Sequence, residues 1–228
     1  MSTISIKVEL NIDRDAGNWY EACNKISHGT DWKQRISGEL RDKIVGKTRE
    51  EAYEFLFPYL KSLYGEKKLE LMQIEMQEYL QELSSEFANR LSDLTKHPIA
   101  KKKITLFITT FPRCPFYFDK GYIWIPATRD KKRLVKVISH EILHFQYFAY
   151  YAEEVICQVD QQKSEWLREA MTPILNDYFG DLTGNSERTY PIFEDLWQKL
   201  SKIWNQDKDF DKFIDKSIVL LKSYELKH

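Results

Sequence analysis

His140-Glu-Ile-Leu-His144 sets two imidazoles four residues apart. On an α-helix such a pair lies one turn apart on one face, so both rings can reach a single ion. Zn2+ takes nitrogen ligands at about 2.0–2.1 Å in a tetrahedral set, and this spacing supplies two of them. Glu141 is rotated by about 100° from His140. It can therefore touch a water at the ion without ligating the ion, which is where a general base belongs. On a helical wheel Leu134, Val135, Ile138, Ile142, Phe145 and Ala149 form the main apolar stripe, and His140 and His144 lie roughly opposite it. A plain surface helix would be charged on that opposite face. Here it carries Val137, Tyr147 and Tyr151, so a second element is expected to cover it and leave the histidines in a cleft.

The pentapeptide resembles the active-site helix of the zincin metallopeptidases. The metzincin extension is absent, because Tyr147 and Tyr150 stand where that branch has its Gly and third His. Trp166-Leu-Arg-Glu169-Ala170 is similar to the tryptophan-leucine-x-Glu-small pattern that carries the third ligand in several gluzincin families. The small residue after the Glu lets two helices approach closely. The resemblance implies a Zn2+ ion held by His140, His144 and Glu169, with Glu141 as the base of peptide hydrolysis. It also implies an α+β fold, predominantly helical, with a small sheet. It covers roughly residues 103–180, the expected metal-site core. In zincins an edge strand above the cleft pairs with substrate, and Tyr122 to Ile125 is the candidate here. The helix over 66–95 is a candidate backing helix. Families with an Asp four residues past the ligand Glu use it to orient a His; this chain has Pro173 there, so Asp177 or a residue elsewhere takes the task. Glu165 shares a helix face with Glu169 and stays open as the alternative third ligand. Glu153 and Glu154 fit less well, because a continuing helix carries them away from His144. Tyr178, Arg188 and Tyr190, beyond the third ligand, are candidates to stabilise the oxyanion.

Two other classes compete with a peptidase: a zincin-shaped scaffold that binds a partner without cleaving it, and a helical interaction protein with a chance motif. The retained Glu141 argues against the scaffold, since a silent metal site has no use for that base. Phe111-Pro-Arg-Cys114-Pro resembles a cysteine-switch segment but reads more simply as a loop between strands. His28, His97 and His228 have no ligand spacing. Lys101-Lys-Lys103 and Arg129-Asp-Lys-Lys-Arg133 read as solvated turn ends, and no nucleic-acid signature accompanies them. There is no phosphate-cradling Gly-rich loop and no G-x-S-x-G.

The elements that must position these residues are mostly helices. Gly (8) and Pro (7) are scarce in 228 residues, against an average combined share of about 12%. Alternation over residues 3–12 predicts a strand. Helices are expected over about 15–27 and 32–45, and from the Thr48-Arg-Glu-Glu51 capping box to about Tyr64, with a kink or break at Pro58. Over 66–95, Leu69, Met72, Met76, Tyr79, Leu83, Phe87, Leu91 and Leu94 make one helical stripe. Lys103–Phe111 predicts a strand, and Phe116–Phe118 with Tyr122–Ile125 a hairpin. Helices follow from Asp130 to about Tyr151, then over about 160–171, 173–179, 190–204 and 209–224, with a loop at 181–186. The expected organisation is a single domain over 1–228, or one unit of two lobes. The 34 Lys and Arg nearly cancel the 35 Asp and Glu, which gives no electrostatic case for nucleic acid or an anionic membrane. Three scattered cysteines without C-x-x-C and an N-terminus lacking a signal-peptide pattern read as cytoplasmic. The expected partner is a peptide or protein substrate.

Overall fold

A computed structural model of the protein describes residues 3–27 and 29–226; His28 and His228 lie outside the described residues. The fold is α+β and 66% helical, with two small sheets among the described residues. By its contacts the chain divides into two compact units, one of residues 5–82 and 103–130, the other of residues 3–4, 83–102 and 131–226.

The first unit carries the main sheet. Its strands are β1 (Ser5–Glu9), β4 (Lys103–Thr109), β5 (Phe116–Tyr117) and β6 (Tyr122–Pro126), in the order β1-β4-β6-β5. The β1–β4 and β4–β6 pairs are parallel, and β5 runs antiparallel to β6. A minor pair, β2 (Ile26–Ser27) and β3 (Thr30–Asp31), lies between them in sequence. One face of the main sheet is aliphatic and fully buried, with Ile6, Val8, Ile104, Leu106, Ile108, Ile123 and Ile125. The opposite face carries Phe107, Tyr122 and Trp124, the consequence of period-two alternation. The open edge of β1 is covered by amides from α4 (Leu69–Thr95): Gln77 accepts from Val8 N and donates to Ile6 O, and Gln73 donates to Val8 O. Such side chains quench an edge that would otherwise pair with another chain.

β6 is therefore not an edge strand. Phe116–Tyr117 folds back along it, and the 118–121 turn closes with Gly121 at φ +65°. A Cβ there would lie 2.8 Å from the Lys103 carbonyl, so only glycine fits. Helix α1 (Ile12–Cys23) starts three residues earlier than its hydrophobic pattern suggests, because the Asn11 side chain caps Arg14 N. The expected 32–45 helix is a short 3-10 turn (Trp32–Arg35) and α2 (Gly38–Asp42), parted where Ile36 is extended and Ser37 caps a new start. Helix α3 (Arg49–Lys67) has the Thr48–Glu51 capping box and runs unbroken through Pro58. Residues 54 and 58 are exposed, so the carbonyl that loses its partner faces water. The chain turns instead at Lys68, with φ +51°.

The second unit is helical. It comprises the end of α4, then α5 (Lys131–Tyr150), α6 (Ala152–Gln158), α7 (Gln161–Ala170), α8 (Asn176–Thr183), α9 (Glu194–Asp207) and α10 (Phe210–Ser223). α8 runs through Thr183, so the loop begins at Gly184, three residues later than its composition suggests. The stripe on α4 keeps Leu69, Met72, Met76, Phe87, Leu91 and Leu94 buried but passes through Leu80 and Ser84 in its middle, leaving Tyr79 and Leu83 half-buried. Gln146 of α5 donates to Thr95 Oγ1 and accepts from Ala100 N, which fixes the middle of α5 against the end of α4. Trp204, Phe210 and Phe213 lock α9 to α10. Among the described residues no helix is long and apolar enough to cross a membrane. None of the three cysteines is in a disulfide.

Candidate metal centre

Helix α5 is buried on every side over its central turns: Ser139, Glu141, Ile142, Leu143, His144 and Phe145 all lie inside. The face opposite the aliphatic stripe is covered, as its aromatic character suggests, although Ala149 on the stripe itself is exposed. α7 and the segment after α8 bring their carboxylates to this face. Asp160 caps α7 at Lys163 N, and Tyr147 meets Ser164, the two hydroxyls 2.8 Å apart. This contact holds α7 against α5, and Glu169 lies five residues further along α7, toward the histidines.

His140, Glu141 and His144 bring their ligand atoms within 4.8 Å of one another. The two imidazoles stand edge to face at 4.5 Å between ring centres. Glu169 spans both: one oxygen lies 3.9 Å from His140 Nε2 and the other 3.6 Å from His144 Nε2. Donors around a tetrahedral zinc lie about 3.3 Å apart when bonds are near 2.0–2.1 Å, so these separations need close by only a few tenths of an ångström. Arg168 donates to Glu169 Oε1 at 2.7 Å and holds that carboxylate in place. Glu165, the alternative, is exposed and accepts from Gln161. Of the pair, only Glu169 faces the histidines.

Glu187 also belongs to the group. His140 Nδ1–H donates to Glu187 Oε1 at 2.7 Å, which turns Nε2 of the ring toward Glu169. Glu187 is 3% exposed, and Asn176 grips its backbone from both sides: Asn176 Nδ2 donates to Glu187 O, and Glu187 N donates to Asn176 Oδ1. Thr189, two residues on, donates to the Glu169 carbonyl and ties the same segment to α7. The orienting task considered for Asp177 falls to Glu187; Asp177 instead accepts from Trp204 Nε1 and pairs with Lys208.

The electrostatics follow from burial. Burial works against a charged His140, but Glu187 and hydrogen bonds to Glu169 and Glu187 outweigh it and hold the ring well above its usual pKa. Burial pushes Glu141 up to about 8 and His144 down to about 3. Burial also acts to raise Glu169, but the two imidazoles and Arg168 hold it well below the usual carboxylate range. Glu141 Oε2 is buried with no hydrogen-bond partner among the described residues. Two imidazole nitrogens converging beside a buried carboxyl oxygen are compatible with a Zn2+-binding site. The group is consistent with a zincin-type site in a mostly helical fold.

No protein-family model, no curated protein and no solved structure matches the chain.

The oxyanion candidates separate. Arg188 is exposed and donates to the Asn185 and Glu187 carbonyls. Tyr178 lies on α8, where its carbonyl accepts from Arg90. Tyr190 packs on Phe193. Cys114 lies in the connection between β4 and β5, in the unit that does not hold the histidines. Residues 103–180 span both units, and Glu187 falls beyond that segment.

Proposed function

We propose that the chain is a zinc-dependent metallopeptidase of gluzincin type. The observation that carries the reading is the convergence of His140 Nε2 and His144 Nε2 on the two oxygens of Glu169, beside the buried carboxyl of Glu141. His140, His144 and Glu169 would hold the ion. When bound, Zn2+ supplies Lewis acidity that polarises a carbonyl and acidifies a water. Glu141 takes the proton at Oε2 and passes it to the leaving amine, and its burial favours taking up that proton. Glu187 fixes the tautomer and plane of His140. Arg168 fixes Glu169. The substrate is a peptide or protein, and the cysteines, none disulfide-bonded, support a reducing compartment such as the cytoplasm.

Glu141→Gln tests the chemistry. It keeps size and shape but removes basicity, so zinc content should persist while cleavage of a peptide library falls by roughly 10²–10⁴-fold. Cleavage at the native rate in the Gln variant would defeat the mechanism. A zinc-loaded native chain that cleaves nothing would favour the silent scaffold.

A further inference from the structure

The unit that carries the main sheet holds a cavity of about 310 Å³ between one face of α1 and the aromatic side of β5 and β6. None of its lining residues belongs to the His140 group. Its volume sits at the small end of the roughly 300–1,000 Å³ typical of small-molecule sites, which suits a di- or tripeptide.

Two of its lining residues carry buried polar atoms with no hydrogen-bond partner among the described residues: Trp124 Nε1, a donor, and Asn18 Oδ1, an acceptor. Trp124 is 5% exposed and Asn18 4%. The Asn18 amide is fixed in this orientation, because its Nδ2 donates to the Arg113 carbonyl and to Thr109 Oγ1. Leaving such groups unanswered is costly, and a ligand carrying both a donor and an acceptor can answer both. One peptide unit does, with an N–H for Asn18 and a C=O for Trp124.

Charge narrows the class further. Asp13, Arg14 and Lys120 line the cavity and, among the described residues, form no ion pair. Arg14 instead rests on the Phe107 and Tyr122 rings at 4.5 and 4.8 Å. Glu21 and Arg49 add a second acid and a third base. A simple anion would meet the two acids and a simple cation the three bases. A zwitterion meets a partner at each end. Tyr117 and Trp124, 5.4 Å apart and tilted, offer a wall to an apolar side chain.

We infer that the cavity between α1 and the β5–β6 hairpin is a binding site for a short zwitterionic peptide, its amide held by Asn18 and Trp124 and its charged termini by Arg14, Lys120 and the acids of α1. This inference stands apart from any hydrolysis at the His140 group.

Calorimetric titration of the full chain with L-leucyl-L-leucine tests it, using Glu141→Gln as background so that the probe survives. Binding in the micromolar to low millimolar range is expected. Capping the probe by N-acetylation or by C-terminal amidation should weaken it several-fold each, as each removes a charge. Trp124→Phe keeps the ring but removes the N–H and should weaken binding by about tenfold. Arg14→Met and Tyr117→Ala, at less buried positions, should also weaken it and do not depend on the core tolerating a change at Trp124. Absence of binding up to about 10 mM would overturn the inference. So would binding that Arg14→Met and Tyr117→Ala leave unchanged, or doubly capped probe that binds as well as the free dipeptide.

Discussion

Glu187→Gln isolates the carboxylate that orients His140. In the native chain the His140–Glu187 hydrogen bond is 2.7 Å long, buried, and made to a charged acceptor. Glutamine keeps the shape and an oxygen that can accept, but not the charge. Hydrogen bonds to charged groups contribute about 1.5–3 kcal/mol and neutral ones about 0.5–1.5, so the loss is about 1–1.5 kcal/mol, or roughly tenfold in zinc affinity. Glu187→Ala also frees the ring to turn, and the expected loss widens toward 100-fold. A proton competes with zinc for His140, and Glu187 strengthens both, so part of the effect cancels in acid. The loss should therefore be larger at about pH 9 than at about pH 6. The assay is competition against a chromophoric chelator, with a thermal melt of zinc-free protein to show that the fold survives. Asn176→Ala, which releases the Glu187 backbone without touching His140, should weaken zinc less than Glu187→Ala. Native zinc affinity in both Glu187 variants would refute the reasoning.

Three other outcomes follow from the same geometry. Glu169→Ala should cost zinc affinity by orders of magnitude and Glu165→Ala almost nothing, read by the same competition; the reverse order would name the wrong carboxylate. Zinc uptake should release a proton, because His140 is held well above its usual pKa and must deprotonate at Nε2 to ligate the ion. Apparent affinity should then fall by up to about tenfold per proton for each pH unit lowered below neutrality, and pH-independent binding in calorimetry would contradict this. In the sheet unit, Asp15→Ala strips the acceptor shared by Thr109, Thr110 and Tyr64, and should cost about 2–4 kcal/mol in chemical denaturation.

The clustering of His140, Glu141 and His144 was legible because helical spacing is a fixed geometry: i and i+4 share a face wherever the helix goes. The sequence also separated the 66–95 helix and the Lys103–Thr109 strand, whose periods are long and clean. Glu187 was not legible. It lies in an irregular segment with no period, and its meeting with His140, 47 residues away, depends on Asn176 and Thr189 holding that segment against α7 and α8. Burial chose between Glu165 and Glu169, and no spacing rule could, since both lie on one face of α7. Similarly, the edge role expected of Tyr122–Ile125 failed on a two-residue strand made possible by Gly121. Pro58 carries a strong breaker signal, but its cost depends on whether the freed carbonyl meets water, which only the fold decides.

The most direct measurement is diffraction from a crystal grown with zinc, recorded above and below the zinc absorption edge. The account predicts one strong anomalous peak at about 2.0–2.1 Å from His140 Nε2 and His144 Nε2 and at about 2.0–2.2 Å from a Glu169 oxygen, with Glu141 close by but not bonded to it. A peak elsewhere on the chain, or none at this group at full zinc load, would contradict it.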